Sequence, residues 1–478
     1  MTESYDAIIV GAGPNGLSAA VRLATAGLSV CVLEAEQQIG GGARTEQLTL
    51  PNFLHDTCST IHPMGLASPF FQKLPLQKYG VDWIQPPLAL AHPFDHQPAA
   101  FLAQSVEETA AGLEEDGKSY RSFMQPFVDH GSELVKEILQ PIRIPRHPFL
   151  MARFGLSAMR SAVSLAESQF KTDRARGLFL GCAAHSIVDL NYMSTAAAGL
   201  VLPLIGHLVG WPIARGGSQK IADALHQYLV SLGGVVQTGR RVDSLQNLPH
   251  CRAILLDVSP KQLAEIAGEA LPVSYREKLL HFRYGPGAFK VDWALSGPIP
   301  WKDPICKKAG TVHLGSLPQE IIESEKLAWN GKIASRPFVL VAQQTLFDDT
   351  RAPAGKHTGW AYCHVPNGAN DDMTEAIESQ VERFAPGFRD LILARAVMDP
   401  AQLQQHNANL IGGDIAGGAN NFFQMIARPI FRWNPYSTPN PRIFLCSSST
   451  PPGGGVHGMC GYNAADVALK KVFGKKGK

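Results

Sequence analysis

The stretch that decides the fold is residues 5–36, "YDAIIVGAGPNGLSAAVRLATAGLSVCVLEAE". Residues 5–10 read as an apolar strand, 11–16 as a tight loop, 17–26 as a helix and 29–34 as a second strand. Three glycines carry the pattern, each for a different reason. Gly11 permits the tight turn, Gly13 lets backbone approach a pyrophosphate, and Gly16 allows close helix–strand contact. The helix N-terminus then faces the anion, and Glu34 accepts hydrogen bonds from ribose hydroxyls. The candidate dinucleotide site is Gly11, Gly13, Pro14, Asn15, Gly16, Glu34 and Ala35. An ordinary glycine-rich βα turn does not need both strands, the helix and the acid in register.

Near the other end, residues 445–469 read "LCSSSTPPGGGVHGMCGYNAADVAL". Gly453, Gly455 and Gly458 repeat the GxGxxG spacing between a strand-like run (442–446) and a helix-like run (463–469). A second dinucleotide domain would need a further strand ending in an acid, and only "KKVFGKKGK" follows Leu469. The C-terminal glycines are therefore expected to serve the first site.

Between these ends, the stretch from about 69 to 202 is mostly helical in pattern and lacks regular β alternation. From Arg215 the pattern changes to a turn, an amphipathic helix, a glycine break and strands, including "CRAILLDVSP", "GAFKVDWALSG", "FVLVAQQTLF" and "GWAYCHVP". At 478 residues the chain exceeds one simple core. Its 45% hydrophobic and 18% charged residues exclude disorder, and a net charge of +2 gives no reason to expect nucleic acid. Eight cysteines form no CxxC and no zinc spacing, which argues against a redox dithiol, a structural metal or a disulfide scaffold. No signal peptide is visible. The uncharged run 193–214 is broken by Pro203, Gly206, His207 and Gly210, and reads as a core segment or the wall of an apolar channel.

The stretch after Glu34, "EAEQQIGGGARTE", resembles the second glycine motif of the FAD-binding phytoene desaturase and amine oxidase superfamily. "GWPIARGGSQKIADAL", "GGDIAGGANNFFQMIARP" and the closing "PPGGGVHGMCGYNAADVAL" extend the resemblance over nearly the whole chain. Together they look like the branch called pyridine nucleotide-disulfide oxidoreductase domain-containing protein 2. The resemblance implies an α/β fold of glutathione-reductase type, with a Rossmann FAD domain from discontinuous segments (1–70, 210–260 and 410–478). A helical cap (71–209) and an antiparallel β-sheet substrate domain (261–409) would complete it. It also implies FAD contacts from Gly41, Gly42, Ala43 and Arg44, the last suited to a bidentate phosphate bond. Val242, on a strand around 241–242, would lie against the adenine. Ser448 would reach the ribityl chain or a phosphate, and Gly455 and Val456 would sit at the flavin ring. The superfamily often has an acid where this chain has Ser447–Ser448–Ser449–Thr450.

A bound flavin carries the redox chemistry, so no catalytic triad is expected. Two residues are candidates for chemistry. Lys290 resembles the amine oxidase lysine that holds a water near the flavin; the plainer reading is a strand lysine paired with Asp292. His457, flanked by glycines, would face the flavin as acid/base or is a satisfied structural group. His55, Asp56 and His62 lack further ligands for a metal. His185 is a candidate substrate-wall residue. Asn420, Asn421 and Gln424 would line the cavity or bind backbone, and Phe422 and Phe423 read as core.

The expected function is an FAD-dependent oxidoreductase taking hydride from an apolar or amphipathic substrate. A reduced-FAD-dependent isomerase and a non-catalytic FAD-binding scaffold at a membrane are the alternatives. Peripheral membrane contact is compatible with this reading. So is a cytoplasmic location in a bacterium or a mitochondrial one in a eukaryote.

Overall fold

A computed structural model describes residues 4–475. Its two main sheets contain β1 (Ser4–Val10), β2 (Val30–Leu33), β3 (Leu88–His92), β4 (Ala100–Leu102), β5 (Val235–Gln237) and β6 (His250–Leu256). They continue with β7 (Gly287–Leu295), β8 (Ala309–Leu314), β9 (Val339–Ala342), β10 (His357–Val365), β11 (Ile392–Met398) and β12 (Ile443–Leu445). The helices used below are α1 (Pro14–Ala24), α2 (Pro148–Ala158), α3 (Ala196–Val209), α4 (Gln219–Ser231), α5 (Phe422–Ile426) and α6 (Met459–Phe473).

The first sheet is parallel throughout, in the order β12-β6-β1-β2-β5. Its strands come from the start, middle and end of the chain. Their inner residues are near-continuous apolar runs such as Ile8–Ile9–Val10 and Val30–Cys31–Val32–Leu33, as a parallel sheet covered on both faces requires. Helix α1 buries Leu17 and Leu23 completely, each worth about 1.5–3 kcal/mol of burial. Helix α6 lies against it so tightly that a Cβ on Gly461 would stand 1.8 Å from the Asn15 carbonyl oxygen.

The second sheet runs β11-β7-β10-β9-β8-β3-β4, antiparallel except where β8 meets β3. Strand β7 is buried along its whole length, so both of its faces matter. Phe289, Val291 and Trp293 enter a core with Val381 and Phe388, while Ala288, Lys290 and Asp292 alternate onto the other face.

Three local expectations are corrected. Strands β3 and β4 fall inside the stretch read as helical cap and join the second sheet; two short 3-10 turns, Phe71–Lys73 and Leu76–Tyr79, precede them, and α-helix there begins at Val106–Gly112. Strand β3, "LALAH", is apolar on both faces, so no period-two alternation showed. The strand expected around 241–242 stops earlier, because β5 ends at Gln237 and Val242 sits in the following loop. Phe423 is 81% exposed and is not core. Among the described residues no helix is long and apolar enough to cross a membrane, and the run 193–214 contains α3 with Pro203 inside it. Among the described residues no cysteine forms a disulfide.

Candidate functional site

A cavity of about 840 Å3 is lined by the C-terminal ends of the first sheet's strands and by one face of the second sheet. Gly11, Gly13, Pro14, Asn15, Glu34, Ala35, Gly41, Gly42, Arg44, Val242, Ser448, Gly455 and Val456 all line it, as does Lys290. The two glycine-rich ends of the chain thus open onto one space.

The β1–α1 turn behaves as its sequence predicts. Gly11 takes φ +99°, a left-handed value that favours glycine. A Cβ on Gly16 would stand 2.0 Å from the Gly11 carbonyl oxygen, so only glycine fits the closure. Gly16 itself does not line the cavity; its N–H donates to Asp257 Oδ2 at 2.8 Å. Helix α1 has Gly13 as N-cap with no side-chain cap of its own; Asp257 takes the Gly16 N–H, and the rest of that end is open to an anion. Glu34 accepts from the N–H groups of Ala12 (2.6 Å) and Glu36 (3.0 Å), one on each oxygen. A second lone pair on each oxygen remains for a ribose hydroxyl.

Ala43 is fully buried in the turn that presents Gly41 and Gly42, and does not face the cavity. Arg44 lines the cavity, but its guanidinium is partly committed. It donates to the carbonyl of Gly41 at 3.2 Å and to that of His406, tying the turn to the segment after β11. Of the hydroxyls at 447–450, only Ser448 reaches the cavity; Ser449 bonds Gly417 O at 2.8 Å and Thr450 bonds Ser447 O at 2.8 Å.

The two candidate chemical residues separate. Lys290 faces the cavity and also pairs with Asp292, both side chains nearly inaccessible to solvent. Burial pushes the Asp292 carboxyl up to about 6 against the pull of the ammonium. Behind the pair, His55 Nδ1 lies 3.6 Å from Asp292 Oδ1, and burial holds this imidazole neutral, down to about 3. His457 is the correction. It is fully buried away from the cavity, and its Nδ1 accepts the Met459 N–H at 3.0 Å at the start of α6. Burial lowers its imidazole to about 4, so it is a neutral cap there.

The other polar candidates have structural partners. Asp56 forms a buried ion pair with Arg351, and His62 Nε2 contacts Ser218 Oγ at 2.8 Å. Asn421 caps α5, and Gln424 bonds the carbonyls of Arg283 and Ala419, whereas Asn420 lines the cavity. His185 lines it too, with its Nε2 3.3 Å from His313 Nε2. No group of His, Cys, Asp and Glu among the described residues is arranged to hold a metal.

Several cavity residues escaped the sequence reading. Asp257, at the end of β6, sits beneath the glycine turn; its Oδ2 would be 2.9 Å from a Cβ on Gly13. Burial, with Glu34 nearby, raises its carboxyl to about 7. Asn409 pins this corner, donating to Asp257 O and accepting from Ser259 N–H, at 2.9 and 2.8 Å. Trp360 and Tyr362 face the cavity from β10. An acid ending a parallel strand, and the alternation in "GWAYCHV", were the available signals.

Residues 9–74 match the family described as an NAD(P)-binding Rossmann-like domain. Over 99% of its length the chain is 23% identical to pyridine nucleotide-disulfide oxidoreductase domain-containing protein 2 of Rattus norvegicus, covering 94% of that protein. It is 24% identical to phytoene dehydrogenase of Streptomyces griseus, over 81% of this chain and 77% of that one. The structure of putrescine oxidase bound to putrescine matches with a TM-score of 0.62 at 17% identity, over 99% of this chain and 100% of that chain. The resemblance read from the sequence is borne out. These relatives are oxidoreductases in name, and the fold is a mixed α/β one shared with an amine oxidase. Together with the Rossmann turn they support FAD as the cofactor.

The site's own chemistry fits that group. The glycine turn that brings the α1 N-terminus to the cavity, the Glu34 carboxylate and the closely approached glycines suit a dinucleotide. The buried Asn15 Oδ1, without a protein partner, adds a polar atom at the same end.

Proposed function

We propose that this protein is an FAD-dependent dehydrogenase that takes hydride from an apolar or amphipathic substrate. Its FAD unit would be of glutathione-reductase type, closed by a helical cap. When bound, FAD supplies the hydride acceptor, and an external oxidant such as oxygen or a quinone restores it. The observation that carries the reading is the single cavity, polar and glycine-lined at one end and apolar at the other. Ile187, Val201, Leu202 and Trp211 close the apolar part and would exclude water from the reacting carbon. Lys290, held by Asp292, brings one ammonium to the second-sheet wall. The test is the visible spectrum of the purified protein, then anaerobic addition of lipophilic substrates. Bleaching of flavin absorbance by an apolar substrate is expected. Absence of flavin after reconstitution with FAD would sink the reading.

We also propose peripheral contact with an anionic phospholipid bilayer. Ile144, Phe149 and Leu156, on and before α2, are 90%, 91% and 78% exposed. Arg143, Arg146 and Arg153 lie exposed among them, with no acidic residue between Glu137 and Glu167. Apolar side chains with arginines match an interfacial element. Sedimentation with phosphatidylserine vesicles should carry the protein down, and Phe149→Ser/Leu156→Ser should release it. Equal sedimentation of both proteins would count against this contact.

A further inference from the structure

The second-sheet wall of the cavity is rich in hydrogen-bond donors. Trp360 is only 7% exposed, it lines the cavity, and its indole Nε1 is buried without a protein partner. An indole N–H can only donate, and leaving it buried and unpaired forfeits its solvation. In register beside it on β10 and β7 stand Tyr362 and Lys290, directly opposite each other. Burial raises the Tyr362 phenol, which keeps its O–H protonated. The Lys290 ammonium has three donors and only donates.

Acceptors on the same wall are few: Asp292, opposite Trp360 in register, is engaged by Lys290 and does not line the cavity, and Thr311 adds a hydroxyl. The carboxylates that line the cavity are Glu34, Glu36, Asp243, Asp257 and Glu265. They lie at the ends of β2 and β6 and in the segments just after β5 and β6, on the dinucleotide side. Among the described lining residues none comes from the second sheet. A cationic amine would meet donors and an ammonium there, and the one second-sheet carboxylate on that face, Asp292, is already paired with Lys290. An oxygen acceptor would satisfy the orphaned indole.

We propose that this wall recognises a carboxylate or carbonyl oxygen on an otherwise apolar substrate, with the Trp360 indole N–H as the donor that reads it. The proposal rests on the reading of the cavity as a chamber for cofactor and substrate, and it narrows the substrate class.

The test measures binding of decanoate, 2-decanone and decylamine to the FAD-loaded protein by calorimetry. At least one oxygen-bearing ligand is expected to bind about tenfold or more tightly than decylamine. Whichever of the two binds better identifies the head group. Trp360→Phe keeps the ring volume but removes the donor. It should weaken that ligand by about tenfold, leaving decylamine binding and FAD affinity unchanged. Three results would overturn the proposal: decylamine binding as well as either oxygen ligand, no binding of any of the three, or no effect of Trp360→Phe on the oxygen ligands. Loss of FAD from Trp360→Phe would also overturn it, because the indole would then serve the cofactor. If the variant does not fold, the ranking of the three ligands on the unaltered protein decides. Failure of the unaltered protein to take up FAD would strike the function proposed above instead, and the ranking would still be read on the flavin-free chain.

Discussion

Asp257 should make the dinucleotide turn sensitive to pH near neutrality. It is buried under the turn, it accepts the Gly16 N–H at 2.8 Å, and burial next to Glu34 lifts it from 3.8 to about 7. The sign follows from proton counting. Between pH 4 and 7 the folded chain keeps a proton that the unfolded chain has already lost. This group's stabilisation is therefore complete below its unfolded value and is lost as pH rises to about 7. Asp257→Asn keeps an acceptor for the Gly16 N–H and never charges. From pH 5 to pH 8 the variant should gain about 3 kcal/mol of stability relative to the original chain, two pH units at roughly 1.4 kcal/mol each. Urea unfolding of both flavin-free proteins across that range measures the difference. A bound pyrophosphate would add negative charge to the same corner. FAD affinity of the original chain should then fall above pH 7, by at most about tenfold per pH unit, and stay flat in the variant. Parallel stability curves for the two proteins from pH 5 to 8 would refute the reasoning.

Four other outcomes are expected. Lys290→Met leaves the Asp292 carboxyl buried without its cation and should cost about 3–5 kcal/mol in urea unfolding, much of it recovered by Lys290→Met/Asp292→Leu. Gly16→Ala places a methyl 2.0 Å from backbone and should prevent stable folding, read as loss of the thermal transition. Gly13→Ala meets only the tip of the Asp257 side chain at 2.9 Å, so it should keep the fold and lose FAD affinity by about tenfold or more. His457→Ala removes a helix cap and should cost about 1 kcal/mol while leaving the flavin spectrum and the pH profile of turnover unchanged.

What was legible in the sequence was the chemistry that neighbours along the chain can settle. The β1–α1–β2 unit is fixed within about thirty residues, so strand, turn, helix and acid could all be placed from their spacing. Gly16 shows why: its demand comes from Gly11, five residues away. His457 shows the limit. Its glycine-flanked position raised a catalytic reading, but the direction of its ring depends on the Met459 N–H and on how α6 starts. Likewise Trp360 and Tyr362 were visible as alternating residues, yet which side of β10 meets the cavity is set by β7 and β9 beside it. Phe423 was misplaced for a related reason. A pair of phenylalanines implies burial only when another element arrives to cover both, and here one is left in solvent.

The same distinction explains the second GxGxxG. Its glycines have real steric causes, but those causes are not all a ligand. A Cβ on Gly458 would stand 2.2 Å from Ser18 Oγ and 2.6 Å from the Phe71 ring. A Cβ on Gly461, one turn on, would run into the Asn15 carbonyl. These two glycines let α6 settle against α1, whose first residues, Pro14 and Asn15, face the cavity. Gly455, with φ +123°, and Val456 instead turn toward the shared cavity. One motif therefore divides its work: its last glycine closes a helix pair, and its middle shapes a cavity wall. The spacing alone carries no record of that division, because close approach to a helix and close approach to a phosphate both demand the absence of a side chain. The chain's two ends are coupled through this contact, so a bulky residue at Gly461 should disturb the first dinucleotide turn without touching any residue of that turn's motif except through the Asn15 backbone.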